Sequence, residues 1–258
     1  MTMFTANKLT KFGLVTAVAG MMVAAPMLSS AGVSGNIGVF SDYVLRGNNG
    51  PAGTEGNGPV VQGGFDYSGD SGIYAGYWGS NLGYSNGSTA TGFENDFYAG
   101  WGGSSGDLNY SIGFIQYYYL HVNDSNLTEI NPTIGYGPVT FGFKYLASDG
   151  AWGNSGDIYW TLGYSTSLPA DFSLSATAGY YTYEKSDNSK MCAAAGMASG
   201  CTITTKSSAF KHLDVSLSHP IGKTGADMSV TYTLPGKDRT GADLKDAIVF
   251  GVKYGFDI

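Results

Sequence analysis

The end of the chain shows its pattern most cleanly. Ile248, Phe250, Val252, Tyr254, Phe256 and Ile258 fall on one parity, and Val249, Gly251, Lys253, Gly255 and Asp257 on the other. A period of two fits these residues and no helical phase does, so they predict a strand with one apolar and one polar face. The same alternation recurs upstream. Ile37, Val39, Tyr43 and Leu45 oppose Asn36, Gly38, Asp42 and Arg46; Val61, Phe65 and Tyr67 oppose Gln62, Gly64 and Asp66. Phe97, Ala99 and Trp101 oppose Glu94, Asp96 and Gly100; Val139, Phe141, Phe143 and Tyr145 oppose Thr140, Gly142 and Lys144. Further strands are expected around Tyr110–Leu120, Ile158–Tyr164, Phe172–Tyr183, Leu213–Leu217 and Met228–Leu234. Segments near Ile73–Ser80, ambiguous in phase, and Thr128–Tyr136, weakened by Pro132, bring the count to about twelve.

Between these strands, short connections (Ser68–Gly72, Gly103–Asp107, Gly137-Pro138, Thr166–Asp171, Pro220–Gly225) alternate with mostly longer ones. The longer ones fall near Gly47–Pro59, Asn81–Gly92, Val122–Leu127, Asp149–Gly156, Glu184–Ala209 and Pro235–Lys245. Short turns at one end and long loops at the other characterise bacterial membrane barrels, whose long loops face outward. A soluble barrel or sandwich alternates too, with its apolar face inward. Three features favour the membrane. The polar parity is mostly Gly, Ser, Thr, Asn and Asp, where a soluble exterior carries more Lys and Glu. Tyr43, Tyr67, Trp101, Tyr118, Tyr136, Tyr145, Tyr164 and Tyr232 fall near strand ends, as interfacial girdles require. The strands also approach the length a tilted crossing needs. The expected fold is an all-β, transmembrane, antiparallel up-and-down β-barrel of about twelve strands.

Composition fits that choice. Charged residues make up 13%, Gly accounts for 40 of 258 residues, and 19 residues are Tyr. Lys8 and Lys11 precede an apolar stretch, Phe12 to Ala25, that Pro26 ends before the small residues Ser29, Ser30 and Ala31. Residues 1–31 are therefore expected to be a cleavable signal peptide, and residues 32–258 the barrel. Cleavage removes two lysines and no acid, taking the formal charge from −7 to −9. An acidic chain without a basic patch argues against nucleic-acid binding. Cys192 and Cys201 are the only cysteines, and in an oxidising compartment they are expected to pair. No metal-ligand spacing stands out, and no cofactor is expected.

The segment Gly251-x-x-Tyr254-x-Phe256 resembles the C-terminal β-signal that barrel-assembly machinery reads, although Asp257-Ile258 follow it here. Other motifs resemble TorF-type porins of the bacterial outer membrane. They are Ser41-Asp42-Tyr43-Val44-Leu45-Arg46-Gly47, Gln62-Gly63-Gly64-Phe65-Asp66-Tyr67 and Gly72-Ile73-Tyr74-Ala75-Gly76-Tyr77-Trp78-Gly79-Ser80-Asn81. Glu94 with Asp96, Tyr117-Tyr118, Glu129, Leu168-Pro169 and Gly179-Tyr180-Tyr181 extend the match. The resemblance implies a porin-like barrel; it does not carry over a substrate.

If the polar parity faces inward, Asp42, Arg46, Asp66, Glu94, Asp96, Glu129, Lys144, Asp157, Asp214 and Asp227 line the lumen. That set describes either an acidic, weakly cation-preferring channel for small hydrophilic solutes or an ion-paired plug filling a narrow interior. Two alternatives place function elsewhere. An adhesin or receptor would act through its long loops, above all the Cys-bearing Glu184–Ala209 loop. A barrel lipid hydrolase would need a nucleophile and base at one surface, with His121, His212 and His219 as the available His bases. The channel, a non-enzymatic function, is the expectation taken forward. Its partners would be outer-membrane lipid, the assembly machinery and small solutes.

Overall fold

A computed structural model describes residues 31–48, 58–85, 88–186, 189–198 and 200–258. The segment read as a signal peptide lies, apart from Ala31, outside the described residues. The strands are β1 (Gly32–Phe40), β2 (Val60–Ser68), β3 (Ile73–Asn81), β4 (Phe93–Ser105), β5 (Leu108–Leu120), β6 (Leu127–Ile130) and β7 (Thr133–Tyr136). They continue as β8 (Val139–Leu146), β9 (Ile158–Ser167), β10 (Ser173–Thr182), β11 (Ser208–Pro220), β12 (Ala226–Pro235) and β13 (Ala247–Asp257), with a short helix α1 (Ser189–Ala194) before β11.

Each strand pairs antiparallel with its neighbours in sequence, and β1 pairs with β13 from Ser34↔Asp257 to Phe40↔Gly251. That last pairing closes the sheet. β6 and β7 are two halves of one strand, both lying between β5 and β8. Pro132, which has no N–H to give the ladder, sits at the break. Asn131 N–H still reaches Gly113 O, and Phe143 N–H reaches Pro132 O, so the ladder bends there without opening. The architecture is a closed twelve-stranded antiparallel barrel.

The faces divide as the alternation requires. On β13, Ile248, Phe250, Val252, Tyr254 and Phe256 all point outward, with Phe250 62% exposed, while Val249 and Gly251 are buried inside. The same apolar outer face runs round the barrel through Ile37, Val61, Phe65, Phe97, Ile112, Phe114, Phe141 and Leu162. Near the short turns it carries Tyr67, Trp101, Tyr136 and Tyr164; near the long loops it carries Tyr118, Tyr145, Tyr180 and Tyr232. Polar side chains on this face are bonded internally. Asn95 Nδ2 donates to Tyr118 O (3.2 Å) and its Oδ1 accepts from Tyr77 Oη (3.0 Å). Gln116 Nε2 donates to Leu127 O (3.1 Å), and its Oε1 accepts from Thr128 Oγ1 (2.7 Å). A surface meeting hydrocarbon needs that economy, because an unpaired polar group there costs several kcal/mol.

Inside, small residues make room for rings. A Cβ on Gly38 would lie 2.8 Å from the Phe40 ring, and one on Gly76 would lie closer still to the Tyr98 ring. The Ile73–Ser80 phase resolves with Ile73 outward, 55% exposed, and Tyr74 inward, 3% exposed. Two readings of the pattern need correction. β1 ends at Phe40, so Tyr43 and Leu45 do not continue its lipid face, and Asp42 and Arg46 belong to a loop. Ser41 N–H bonds Phe250 O at the rim, and the chain then turns inward through Arg46 and Gly47, at φ +52° and +76°. Nor is the inner parity simply polar: Ile115, Tyr117 and Tyr119 of β5 are all buried within the lumen.

Replacing Val252, midway along β13 and facing outward, by Arg is expected to destabilise the barrel by roughly 2–4 kcal/mol in lipid. Urea unfolding in vesicles measures it; an unchanged midpoint would mean this face does not meet acyl chains.

Candidate functional site: a lumen closed by an infolded loop

Towards the short turns the inward side chains are small and polar, among them Thr140, Thr177 and Ser229, and Asp227 there is exposed. Towards the long loops the lumen fills. Tyr98, Ile115, Tyr117, Tyr119, Leu127 and Leu146 from the wall pack with Leu82 and Val122 from loops, and Tyr74, the second residue of β3, extends this cluster toward the short-turn end. Loop 1, following β1, crosses to the far wall. There Arg46, 3% exposed, meets Glu129 of β6, 1% exposed, through two charge-assisted bonds: Nη1 to Oε1 (2.8 Å) and Nη2 to Oε2 (2.6 Å). Such a fork-on-fork match is what a planar guanidinium makes with a carboxylate. Nη1 also donates to Tyr181 Oη (2.6 Å) and Nη2 to Tyr117 Oη (3.2 Å), while Tyr117 Oη donates to Glu129 Oε2 (2.8 Å). The guanidinium carbon lies 4.6 Å from the Tyr159 ring centroid, 5.6 Å from Trp152 and 5.9 Å from Tyr181. A cation over aromatic faces gains ~0.5–2 kcal/mol per favourable contact.

Two more contacts seat the loop. Tyr43 Oη donates to Glu94 Oε2 (2.5 Å), and Tyr119 Oη donates to Oε1 (2.7 Å). On the other flank Lys211 Nζ donates to Asn48 Oδ1 (3.1 Å). Lys211 is inside because the β10–β11 register shifts at Gly179/Tyr180. That irregularity turns Lys211 and His212 inward together while Phe210 stays outward, 41% exposed. His212 Nε2 and Tyr159 Oη are 2.6 Å apart, and its Nδ1 is 3.1 Å from Asp214 Oδ1. The latter contact lies off the hydrogen-bond direction, since Nδ1 has no hydrogen-bond partner among the described residues. Outside the strands, burial and the nearby Glu94 carboxylate push the Tyr84 phenol up to about 12.

The residues named from sequence as lumen-lining separate into groups. Glu94, Asp96, Glu129 and Lys144 converge around Arg46 in the loop-side half, and Asp214 sits beside His212. Asp66 accepts from Tyr98 Oη lower in the barrel, and Asp227, opposite Lys253, lies near the short turns. Asp42 is half-buried in loop 1, with its Oδ1 accepting from Tyr43 N–H. Asp157 precedes β9 and ties loops together, accepting from Arg239, Asn154 N–H (3.0 Å) and Glu184 N–H (2.8 Å). Cys192 and Cys201 are joined at 2.10 Å in the loop between β10 and β11. Gly251 is inside β13, with Tyr254 and Phe256 on its outer face. Sequence analysis gave no lumen role to Tyr117, Tyr159, Tyr181, Trp152 or Lys211, although Tyr117 and Tyr181 stand in the motifs that resemble TorF-type porins. Tyr159 shares the parity of Asp157 and Thr161, and Lys211 is placed by a register shift that alternation does not reveal.

Of the histidines considered for hydrolysis, His121 Nδ1 lies 3.3 Å from Ser88 Oγ on exposed loops, and no hydrogen bond orients its Nε2 among the described residues. His212 is fully buried in the lumen, and the His219 ring lies tilted against Phe172, centroids 4.6 Å apart, near the end of β11. Ser85 and Ser104 both have Gly-x-Ser-x-Gly spacing, but Ser85 lies in the loop between β3 and β4 and Ser104 near the end of β4 at a hairpin, neither at a strand-to-helix turn.

A bacterial family described as a protein of unknown function, Gcw_chp, matches residues 24–197. The chain belongs to the Gcw_chp family. No curated protein sequence matches it. Among solved structures this Gcw_chp barrel is similar to the KdgM porin, at 10% identity and a TM-score of 0.53, over 86% of this chain and 99% of that one. It is also similar to a chain from work on in-meso crystallization of membrane proteins (7% identity, TM-score 0.51, 88% and 84% covered). OprD from Pseudomonas aeruginosa matches at 10% identity and a TM-score of 0.43, over 88% of this chain and 66% of that one. At these identities the likeness is one of fold.

Gly47 decides how firmly loop 1 sits. Its φ is +76°, and an added Cβ would stand 2.8 Å from His212 Cβ and 2.9 Å from Lys211 O. Gly47→Ala is expected to weaken loop 1 seating by about 1–3 kcal/mol. Limited proteolysis of the refolded protein should then cut within residues 41–59 roughly tenfold faster or more, and equal rates would refute it.

Proposed function

We propose that this Gcw_chp chain is a porin-like channel of the bacterial outer membrane that passes small hydrophilic solutes with a weak preference for cations. The observation that carries this reading is where the lumen closes. The wall leaves a space that a loop side chain, Arg46, fills by crossing the barrel to Glu129. A barrel whose interior served only as a core would be expected to fill from its own strands, as eight-stranded barrels do. The mostly small polar side chains that the wall turns inward near the short turns are what a water-filled entrance requires. The apolar outer face and its two aromatic bands support membrane residence. The likeness to the KdgM porin over nearly that whole chain, and the TorF-type motifs, fit the same function.

Selectivity follows from the inward charges. Asp66, Glu94, Asp96, Glu129, Asp214 and Asp227 face Arg46, Lys144, Lys211 and Lys253. The acids hold a small majority, enough to favour cations weakly and too few to exclude anions. Residues 1–31 would be removed on export, and β13, with Gly251, Tyr254 and Phe256, would be read by the assembly machinery.

Planar-bilayer recording of the refolded protein in a KCl gradient tests this. Reversal potentials are expected to favour K⁺ and to shift toward zero in Glu94→Gln and Asp96→Asn. Arg46→Ala should raise the single-channel conductance at least twofold. A silent bilayer, or anion preference in the wild type, would sink the proposal.

A further inference from the structure

The group that closes the lumen also reveals what the lumen wall is built to hold. Glu129, Tyr117, Tyr159 and Tyr181 stand on β6, β5, β9 and β10, whose ladders position them without help from loop 1. Together they offer a carboxylate fork, two phenol oxygens and aromatic faces, which is the chemistry that recognises a planar organic cation. The present occupant, by contrast, arrives on a loop with left-handed backbone at both Arg46 and Gly47. From the geometry we infer that this wall is a binding site for guanidinium-bearing solutes, and that Arg46 occupies it as a tethered competitor. The inference rests on the channel function for its biological sense, but binding can be measured without it.

Removing Arg46 leaves Glu94, Asp96 and Glu129 together against Lys144. Asp96 is already fully buried with neither oxygen hydrogen-bonded to any described residue, while Glu94 and Glu129 are both bonded. A carboxylate held that way favours a second cationic or hydrogen-bond-donating group close to the first. A solute carrying a guanidinium at one end and an ammonium at the other suits the two acidic positions. Sodium, compact and strongly hydrated, gains neither the fork nor the aromatic faces, and anions meet three carboxylates.

Because loop 1 must leave before a solute enters, apparent affinity in the wild type is reduced by the fraction of time the loop is out. Agmatine is the probe, titrated calorimetrically into refolded, detergent-solubilised protein, with tetramethylammonium and sodium chloride as controls. Arg46→Ala and Arg46→Gln are expected to bind agmatine at least tenfold more tightly than wild type. Arg46→Ala/Glu129→Gln should lose at least tenfold of that gain, and neither control should saturate over the same range. A heat-modifiable gel shift checks folding, and Gly47→Ala, which loosens the loop and leaves the wall intact, should also bind more tightly than wild type. Equal affinity in wild type and loosened variants, or binding indifferent to Glu129, would overturn the inference. The same agmatine concentrations should block current through the Arg46→Ala channel. Saturable binding without any conductance would keep the site and remove the channel; conductance without saturable binding would do the reverse.

Discussion

Everything in this molecule depends on closing the backbone ladder. Twelve strands pair in sequence and β1 meets β13, so none of the described strands presents an unpaired edge. Only then can the outer surface be largely apolar, because the backbone groups that would demand water are spent on neighbouring strands. Closure also makes alternation absolute. With every strand bounded on both sides, a slip of one residue would turn Phe250 and Val252 inward and Lys253 outward. The observed shift between β10 and β11 is local and changes the inside alone, bringing Lys211 and His212 to the same side while Phe210 and Leu213 keep their places.

Within that shell the Arg46–Glu129 pair is an expensive way to fill space. Taking both charges from water costs several kcal/mol per ion, and their attraction repays it only when geometry and further hydrogen bonds are good. Here the carboxylate accepts from Arg46 and Tyr117, and the guanidinium adds Tyr181 and three aromatic faces. A hydrophobic side chain would close the lumen more cheaply. What the ionic solution adds is dependence on one contact: lose either partner and the other is stranded, unless water or another ion reaches it. That makes the closure conditional in a way that Leu or Phe would not be.

Much of the fold was legible in the sequence because a period of two survives single-residue noise. The short and long connections fell where the hairpins and loops lie, since Gly and Pro punctuate both, and even the weak strand at Pro132 proved to be a broken one. Legibility failed where the chain leaves the ladder. Asp42, Tyr43, Leu45 and Arg46 still alternate, yet Gly47 and the left-handed turn at Arg46 carry them inside. Parity alone cannot distinguish a continuing strand from a loop that doubles back. The inner tyrosines were obscured for a different reason. Tyr suits a lipid interface and a polar lumen equally, so Tyr117 and Tyr118, adjacent in sequence, do opposite work on opposite faces.

The division of labour between wall and loop follows from barrel size. Eight strands leave an interior that wall side chains fill, and sixteen or more leave one they cannot. At twelve, the wall narrows the lumen with Tyr rings laid along glycines but does not shut it. Completing the closure therefore falls to a segment outside the ladder, whose position is set by a few side-chain contacts and not by strand pairing. The wall residues keep their geometry whichever way that segment lies. A site built on strands and closed from a loop can thus be rigid in what it recognises and adjustable in whether it is open, and twelve strands is a width at which one barrel has room for both.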